Sequence, residues 1–222
     1  MRKLLLLAMM MNALIAFAAD EDTRLATVRE GTSHFAQQID IPSRVPNGSF
    51  GMGCASTVNH IGRMGRVVCR WEDIDTEVGS TIYDRIVRAS RRVRFHPAKL
   101  DGVQELVWYS FSVGILKTNV ETRVRVYEHQ FQDTDKYGDN YQGAQRVLKG
   151  YPAGCNLEAS IMVQLEIDAS GEPSNVRIID HHADETERCL ENVKEHALQG
   201  PYIPANFEGR AVSSTYLQPY SR

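Results

Sequence analysis

The chain has 222 residues, with 25 Lys and Arg against 28 Asp and Glu and a formal net charge of −3. A mildly acidic surface with mixed charges and no basic stripe excludes a nucleic-acid binder held by phosphate contacts. The length, about 200 residues once a leader is removed, fits one large domain or two of about 100.

The first residues, MRKLLLLAMMMNALIAFAAD, place Arg2 and Lys3 before an apolar run that closes on Ala16-Phe17-Ala18. This order predicts a secretory signal peptide over residues 1–19, cut at Ala18 or Ala19, and export to the periplasm. The rival reading, a membrane anchor, has to span a bilayer with a run that Asn12 interrupts and that is shorter than the roughly 20 residues required.

In the first half, Cys54 to Ile61 and Arg66 to Glu72 predict a hairpin turning at Gly62-Arg63-Met64-Gly65. A helix follows over Ser80 to Arg94, with Ile82, Ile86, Ala89 and Val93 on one stripe. Phe95-His96-Pro97-Ala98 leaves the helix, Asp101-Gly102 turns the chain, and Val103 to Val113 is a strand; Thr122, Val124 and Val126 alternate in a further one. Residues 129–149 are polar and turn-rich, which predicts a linker.

The second half repeats the order. Ile161, Val163, Leu165 and Ile167 alternate in one strand, Asp168 to Gly171 turns, and Asn175 to Asp180 supplies the second strand. Asp184 to Leu198 carries Leu190, Val193 and Ala197 at helical spacing, Gly200-Pro201 stops the helix, and a last strand runs from Arg210 to Tyr220. Phe95, Pro97, Ala98, Asp101 and Gly102 correspond to Tyr202, Pro204, Ala205, Glu208 and Gly209 at a constant offset of 107. A fixed offset that preserves turn residues points to duplication. The expected fold is α+β: two tandem small domains, each a short antiparallel sheet ordered strand, strand, helix, strand and covered by its helix. The expected boundaries are 20–128 and 150–222.

Four cysteines in an exported chain predict disulfides. Three connectivities are open, and the simplest keeps each bridge in its own half, Cys54 with Cys69 and Cys155 with Cys189. A hairpin turning at Gly62 to Gly65 would set Cys69 opposite Val58, so the Cys54 bond requires a bulge or a neighbouring strand.

Tyr151-Pro152, Ile167-Asp168 with Gly171, Asn175 to Asp180, the helix and Tyr202-x-Pro204-Ala205, in that order, resemble the TonB C-terminal domain over residues 150–222. The first half is a degenerate version, carried by Phe95 to Gly102 and the strand Val107 to Val113, with Val45-Pro46 in place of Tyr151-Pro152. The resemblance implies a non-enzymatic module that binds a segment of an outer-membrane transporter, or another envelope protein or peptide, as an added strand. By position, the implied binding residues are Tyr151 and Pro152 and the edge Ser213, Thr215, Tyr216 and Leu217. It implies no cofactor and membrane contact only through the partner. The chain departs from the energy-transducing members, which keep an inner-membrane helix and a proline-rich spacer; here the apolar segment reads as cleavable and the eight prolines are scattered. A structural envelope factor whose duplicated domains self-associate, as in a homodimer, is the alternative.

Other constellations have bland readings. Asp180-His181-His182-Ala183-Asp184 offers metal-ligand types, but adjacent histidines diverge and the stretch reads as a solvated loop, so no metal is expected. Arg85, Arg88, Arg91, Arg92 and Arg94 form the wet face of a helix whose apolar stripe is complete without them. Trp108 falls on the strand face opposite Tyr109, Phe111 and Val113. No GxSxG elbow, P-loop or complete dinucleotide fingerprint is present.

Overall fold

The computed structural model describes residues 22–153, 155 and 161–220. The predicted signal peptide lies outside the described residues. Among them, no helix is long and apolar enough to cross a membrane.

The chain opens with β1 (Thr27–Val28) and α1 (Thr32–Gln37), followed by β2 (Gly48–Val58), β3 (Val68–Arg70) and α2 (Thr76–Ser90). Next come the short β4 (Phe95–His96), β5 (Lys99–Leu100) and β6 (Val103–Gln104), and the long β7 (Val107–Lys117) with β8 (Thr122–Tyr127). The segment after β8 carries α3 (Thr134–Tyr137) and β9 (Gln145–Val147). The remainder is β10 (Ile161–Ile167), β11 (Pro173–Asp180), α4 (Glu187–Leu198), β12 (Tyr202–Ile203), β13 (Ala205–Phe207), β14 (Arg210–Val212) and β15 (Ser214–Tyr220). The fold is α+β, in antiparallel sheets with helices against them.

Both longer helices follow from their sequences. Asp75 caps α2 by accepting from the Glu77 and Val78 amides, and Thr186 caps α4 by accepting from Cys189. Ile82, Ile86 and Ala89 of α2 are fully buried against Phe95, Tyr109, Phe111 and Val113, each isoleucine contributing about 2 kcal/mol. Cys189, Val193 and Ala197 of α4 join Ile161, Val163, Leu165 and Ile167 in a second core. Relative to expectation α2 lies four residues earlier, because Asp75 supplies the cap, and Val93 is buried beyond its end.

Two sheets hold these cores. One runs β12-β9-β7-β2-β3, with β8 also on β7; the other runs β11-β10-β15. The first hairpin turns earlier than expected: the Asn59 amide donates to the Arg63 carbonyl, and the Asn59 side chain accepts from the Ile61 and Arg63 amides. This correction to the turn sets Cys54 directly opposite Cys69, with Cα atoms 4.1 Å apart. Cys54–Cys69 and Cys155–Cys189 are bonded, and two disulfides fit an oxidising, extracytoplasmic compartment.

The residues repeated in the sequence do the same geometric work twice. Asp101 and Gly102 have φ of 51° and 79°, and Glu208 and Gly209 have 53° and 79°. Each pair closes a two-residue hairpin, β5–β6 and β13–β14, because a type I′ turn needs positive φ at both positions. Lys99 exchanges backbone hydrogen bonds with Arg24, and Asn206, 107 positions later, does so with Gln142. The turn glycines correspond as well: a Cβ on Gly62 would lie 2.0 Å from the Phe95 carbonyl oxygen, and one on Gly171 would lie 2.5 Å from that of Tyr202.

Both glycines also have positive φ, 71° and 90°. Gly62→Ala and Gly171→Ala are each expected to destabilise the fold by more than about 2 kcal/mol, combining backbone strain with a backbone clash. Urea unfolding monitored by circular dichroism measures it, and a loss below about 0.5 kcal/mol at either site would show that the close approach is not required.

Candidate functional site

The resemblance directs attention to sheet edges, where unpaired main-chain groups can take up another strand. Three strands longer than three residues end a sheet among the described residues, β15, β11 and β8, and the Gly48–Met52 half of β2 also pairs on one side only. They are not equivalent.

The edge expected to bind, β15, is closed by the chain itself. Its Thr215 N–H donates to the Asp133 carboxylate at 2.6 Å, and its Leu217 N–H donates to the Gln130 side chain at 3.2 Å. The next outward position is Pro219, which has no N–H to offer. Tyr137 donates its hydroxyl to the Ser213 carbonyl at 2.8 Å. Tyr216 points inward and is buried, while Thr215 and Leu217 are half-buried. Of the other two implied residues, Tyr151 is 68% exposed and Pro152 is buried.

The sealing side chains Gln130, Asp133 and Tyr137 all come from residues 129–149, expected as a linker. That segment is a strap instead. His129, Tyr141, Ala144, Gln145, Arg146 and Val147 are buried, and the His129 ring stacks on Tyr141 with centroids 4.5 Å apart. Ser112 donates to the His129 carbonyl at 2.8 Å. The Gln145 side chain accepts from the Ala26 N–H and donates to its carbonyl, at 2.8 and 2.7 Å. Strand β9 pairs with β7 on one side and β12 on the other.

At the end of the strap lies Arg146, 2% exposed, with no carboxylate partner among the described residues. Its guanidinium donates to the Tyr220 hydroxyl, to the His196 carbonyl at 2.6 Å and to His196 Nδ1 at 2.8 Å. It also lies 5.4 Å from the Tyr220 ring centroid and 5.9 Å from that of Tyr202, close enough for cation–π attraction. Burial pushes the Tyr220 hydroxyl up to about 12, against the lowering effect of Arg146. Burial first and the Arg146 charge second bring His196 down to about 4. His196 is therefore a neutral acceptor at neutral pH.

Strand β11 is an edge broken twice, with register shifts between Met162 and Val163 and between Gln164 and Glu166, and with Asn175 at φ 51°. Bulges of this kind discourage strand addition. Strand β8 has neither a bulge nor a proline over its six residues. Its Val124–Tyr127 part lines a groove of about 350 Å³ together with Thr32, Ser33 and Ala36 of α1 and residues 139–142. The Glu128 carbonyl accepts from Gly143 N–H at 2.8 Å, away from β7. The narrow Cys54–Cys69 pair, carried through β2 and β7, gives the same phase. By the period of two, the main-chain groups of Thr122, Val124 and Val126 then face away from β7.

The remaining constellations disperse. Asp180 pairs with Arg70 at 3.2 Å, His181 Nδ1 lies 2.8 Å from the His182 carbonyl, and His182 Nδ1 lies 3.3 Å from Asp184. No group of three or more metal-ligating side chains gathers among the described residues. Arg85, half-buried, pairs with the exposed Asp40 at 3.7 Å. Trp108 packs against the second core. The sealing side chains were not found from the sequence: Gln130 and Asp133 lie 87 and 82 positions from their partners.

Two outcomes are expected. Asp133→Ala combined with Gln130→Ala should cost about 2 kcal/mol or more, since a charge-assisted and a neutral hydrogen bond are both lost. It should also promote self-association in sedimentation velocity by unsealing β15, and a variant as monomeric as the parent would deny the strap a sealing role. Separately, a histidine whose folded pKa lies below its unfolded value stabilises fully above the unfolded value and loses that contribution as pH falls. Stability of the native protein should therefore drop between pH 6.5 and 4, the ordinary and folded values of His196, by more than that of a His196→Gln variant. Equal slopes in urea titrations at the two pH values would remove His196 from the account.

No protein-family model matches the chain, and no curated protein and no solved structure matches it either.

Proposed function

We propose that this is a non-enzymatic binding protein of the cell envelope, exported to the periplasm through a cleavable leader. In this reading it consists of two tandem units similar to the TonB C-terminal domain. It engages an envelope protein, such as an outer-membrane transporter, by pairing one of that protein's extended segments with a sheet edge. The observation that carries the reading is the contrast between edges: β15 is capped donor by donor, whereas β8 runs unbulged beside an open groove. A protein that guards one edge so closely and leaves another open fits recognition at the open one. Docking is accordingly assigned to β8 rather than to the Ser213–Leu217 edge.

A second reading has its own support. Strand β9 belongs to the sheet of the first half and pairs with β12 of the second, so the halves consume edges in holding each other. That arrangement suits a structural envelope factor that also self-associates.

Proline scanning separates these readings. In pull-downs from an envelope extract, Val124→Pro removes an outward N–H of β8 without touching the β7 ladder, and should abolish capture of an outer-membrane transporter identified by mass spectrometry. Thr215→Pro should leave that capture intact. Loss with Thr215→Pro alone would return recognition to β15, and equal capture by all three folded proteins would refute edge pairing. A homodimer that captures nothing would support the structural factor.

A further inference from the structure

We infer that the β8 groove selects an extended segment carrying acidic side chains at alternate positions. This deepens the reading of β8 as the docking edge and rests on it.

Strand β8 presents two different faces. Val124 and Val126 share one face, half-buried and buried. Arg123 and Arg125 share the other, and both are exposed. The register sets Arg123 across from Leu116 and Ser49, and Arg125 across from Gly114 and Gly51. Neither row supplies a carboxylate. Arg123 pairs with Glu121 at 2.9 Å, both side chains being substantially exposed, and Arg125 has no ion pair among the described residues. A strand docked on β8 would bring every second side chain beside these two guanidinium groups. There, opposite charges contribute and like charges oppose.

The groove's own acids do not cancel this preference. Glu128 is occupied by three donors, the Val28 N–H at 2.9 Å, the Tyr109 hydroxyl at 3.1 Å and the Gln142 amide at 2.9 Å. Asp139 belongs to the far wall with Asn140 and Tyr141, opposite α1 rather than in the arginine rows. The side chains between the acids of the docked segment would face the Val124 and Val126 side, beside Thr32, Ser33 and Ala36 of α1, which packs against β8. A second copy of this chain is a poor occupant: added antiparallel about Val124, it would set Arg123 against Arg125 twice.

The test uses the mature protein and two short fluorescent peptides, one alternating Glu with Thr and the other Lys with Thr. Binding is read by anisotropy at low and raised salt. The Glu peptide should bind, weaken with salt and lose at least about tenfold in affinity on Arg123→Glu/Arg125→Glu, two reversed cross-strand pairs. The charge-reversed protein should prefer the Lys peptide, and Val124→Pro should abolish both interactions. If the native protein binds both peptides equally and Val124→Pro abolishes that binding, strand addition stands and acidic selectivity is overturned. If the Glu peptide survives Val124→Pro, the arginines attract anions without strand pairing and the inference fails. Binding of neither peptide overturns the inference together with the β8 docking reading.

Discussion

The structure depends on one constraint: a strand buried between two others must satisfy its main-chain groups on both sides. Strand β9 meets it by pairing with β7 through Val107 and Trp108 and with β12 through Tyr202 and Ile203. Because β12 is where the chain leaves α4, the position of the second helix is fixed against the first sheet. The strap then has little freedom. Its beginning is held at Ser112 through the His129 carbonyl, its middle at β15 through Asp133, and its end at Arg146. Releasing one of these attachments would expose backbone groups at the others, which makes the strap a cooperative unit.

Arg146 shows how the second core tolerates a cation with no anion beside it. A lone buried charge would cost several kcal/mol if nothing solvated it. Here two aromatic faces, a carbonyl, a hydroxyl and a neutral imidazole replace the water. The glycine at 200 is part of the arrangement, since a Cβ there would sit 2.5 Å from Arg146 Nε. Burial first and the neighbouring guanidinium second lower His196, since an imidazolium there would be desolvated and would set two like charges side by side. The seam between the halves is thus polar at its centre and specific in register, where a purely apolar contact could slide.

Much of the fold was legible because its signals are local. Alternation at Ile161 to Ile167, the spacing of Ile82, Ile86 and Ala89, and the Asp-Gly and Glu-Gly pairs each act over a few residues. The strap was illegible for the opposite reason. Gln130, Asp133, Gln145 and Arg146 look like solvated linker residues, and their partners lie at Leu217, Thr215, Ala26 and Tyr220. Nothing in a polar side chain's neighbours announces that it will meet a distant backbone amide. The Cys54 register differs for a simpler reason: glycines at 62 and 65 point to a later turn, whereas Asn59 closes it two residues earlier by accepting from two amides. The resemblance places the docking residues on the last strand, and periodicity cannot tell an open edge from one capped by side chains.

Two antiparallel sheets side by side present several edges, and each edge invites aggregation unless something blunts it. The devices seen here differ. β3 is short and tethered by a disulfide, β11 is bulged, and β15 is capped by side chains and a proline. The edge of β7 is divided between β8 and β9. Had β8 been added only to cover β7, a two-residue strand such as β4 or β12 would have sufficed for part of it, and the new edge would want blunting in turn. Instead β8 spans six residues with its arginines outward. Like charges at Arg123 and Arg125 resist pairing with an identical strand while leaving the edge available to a complementary one. On the proposed reading of β8 as the docking edge, that combination opposes self-association by charge while leaving the outward main-chain groups for a partner strand.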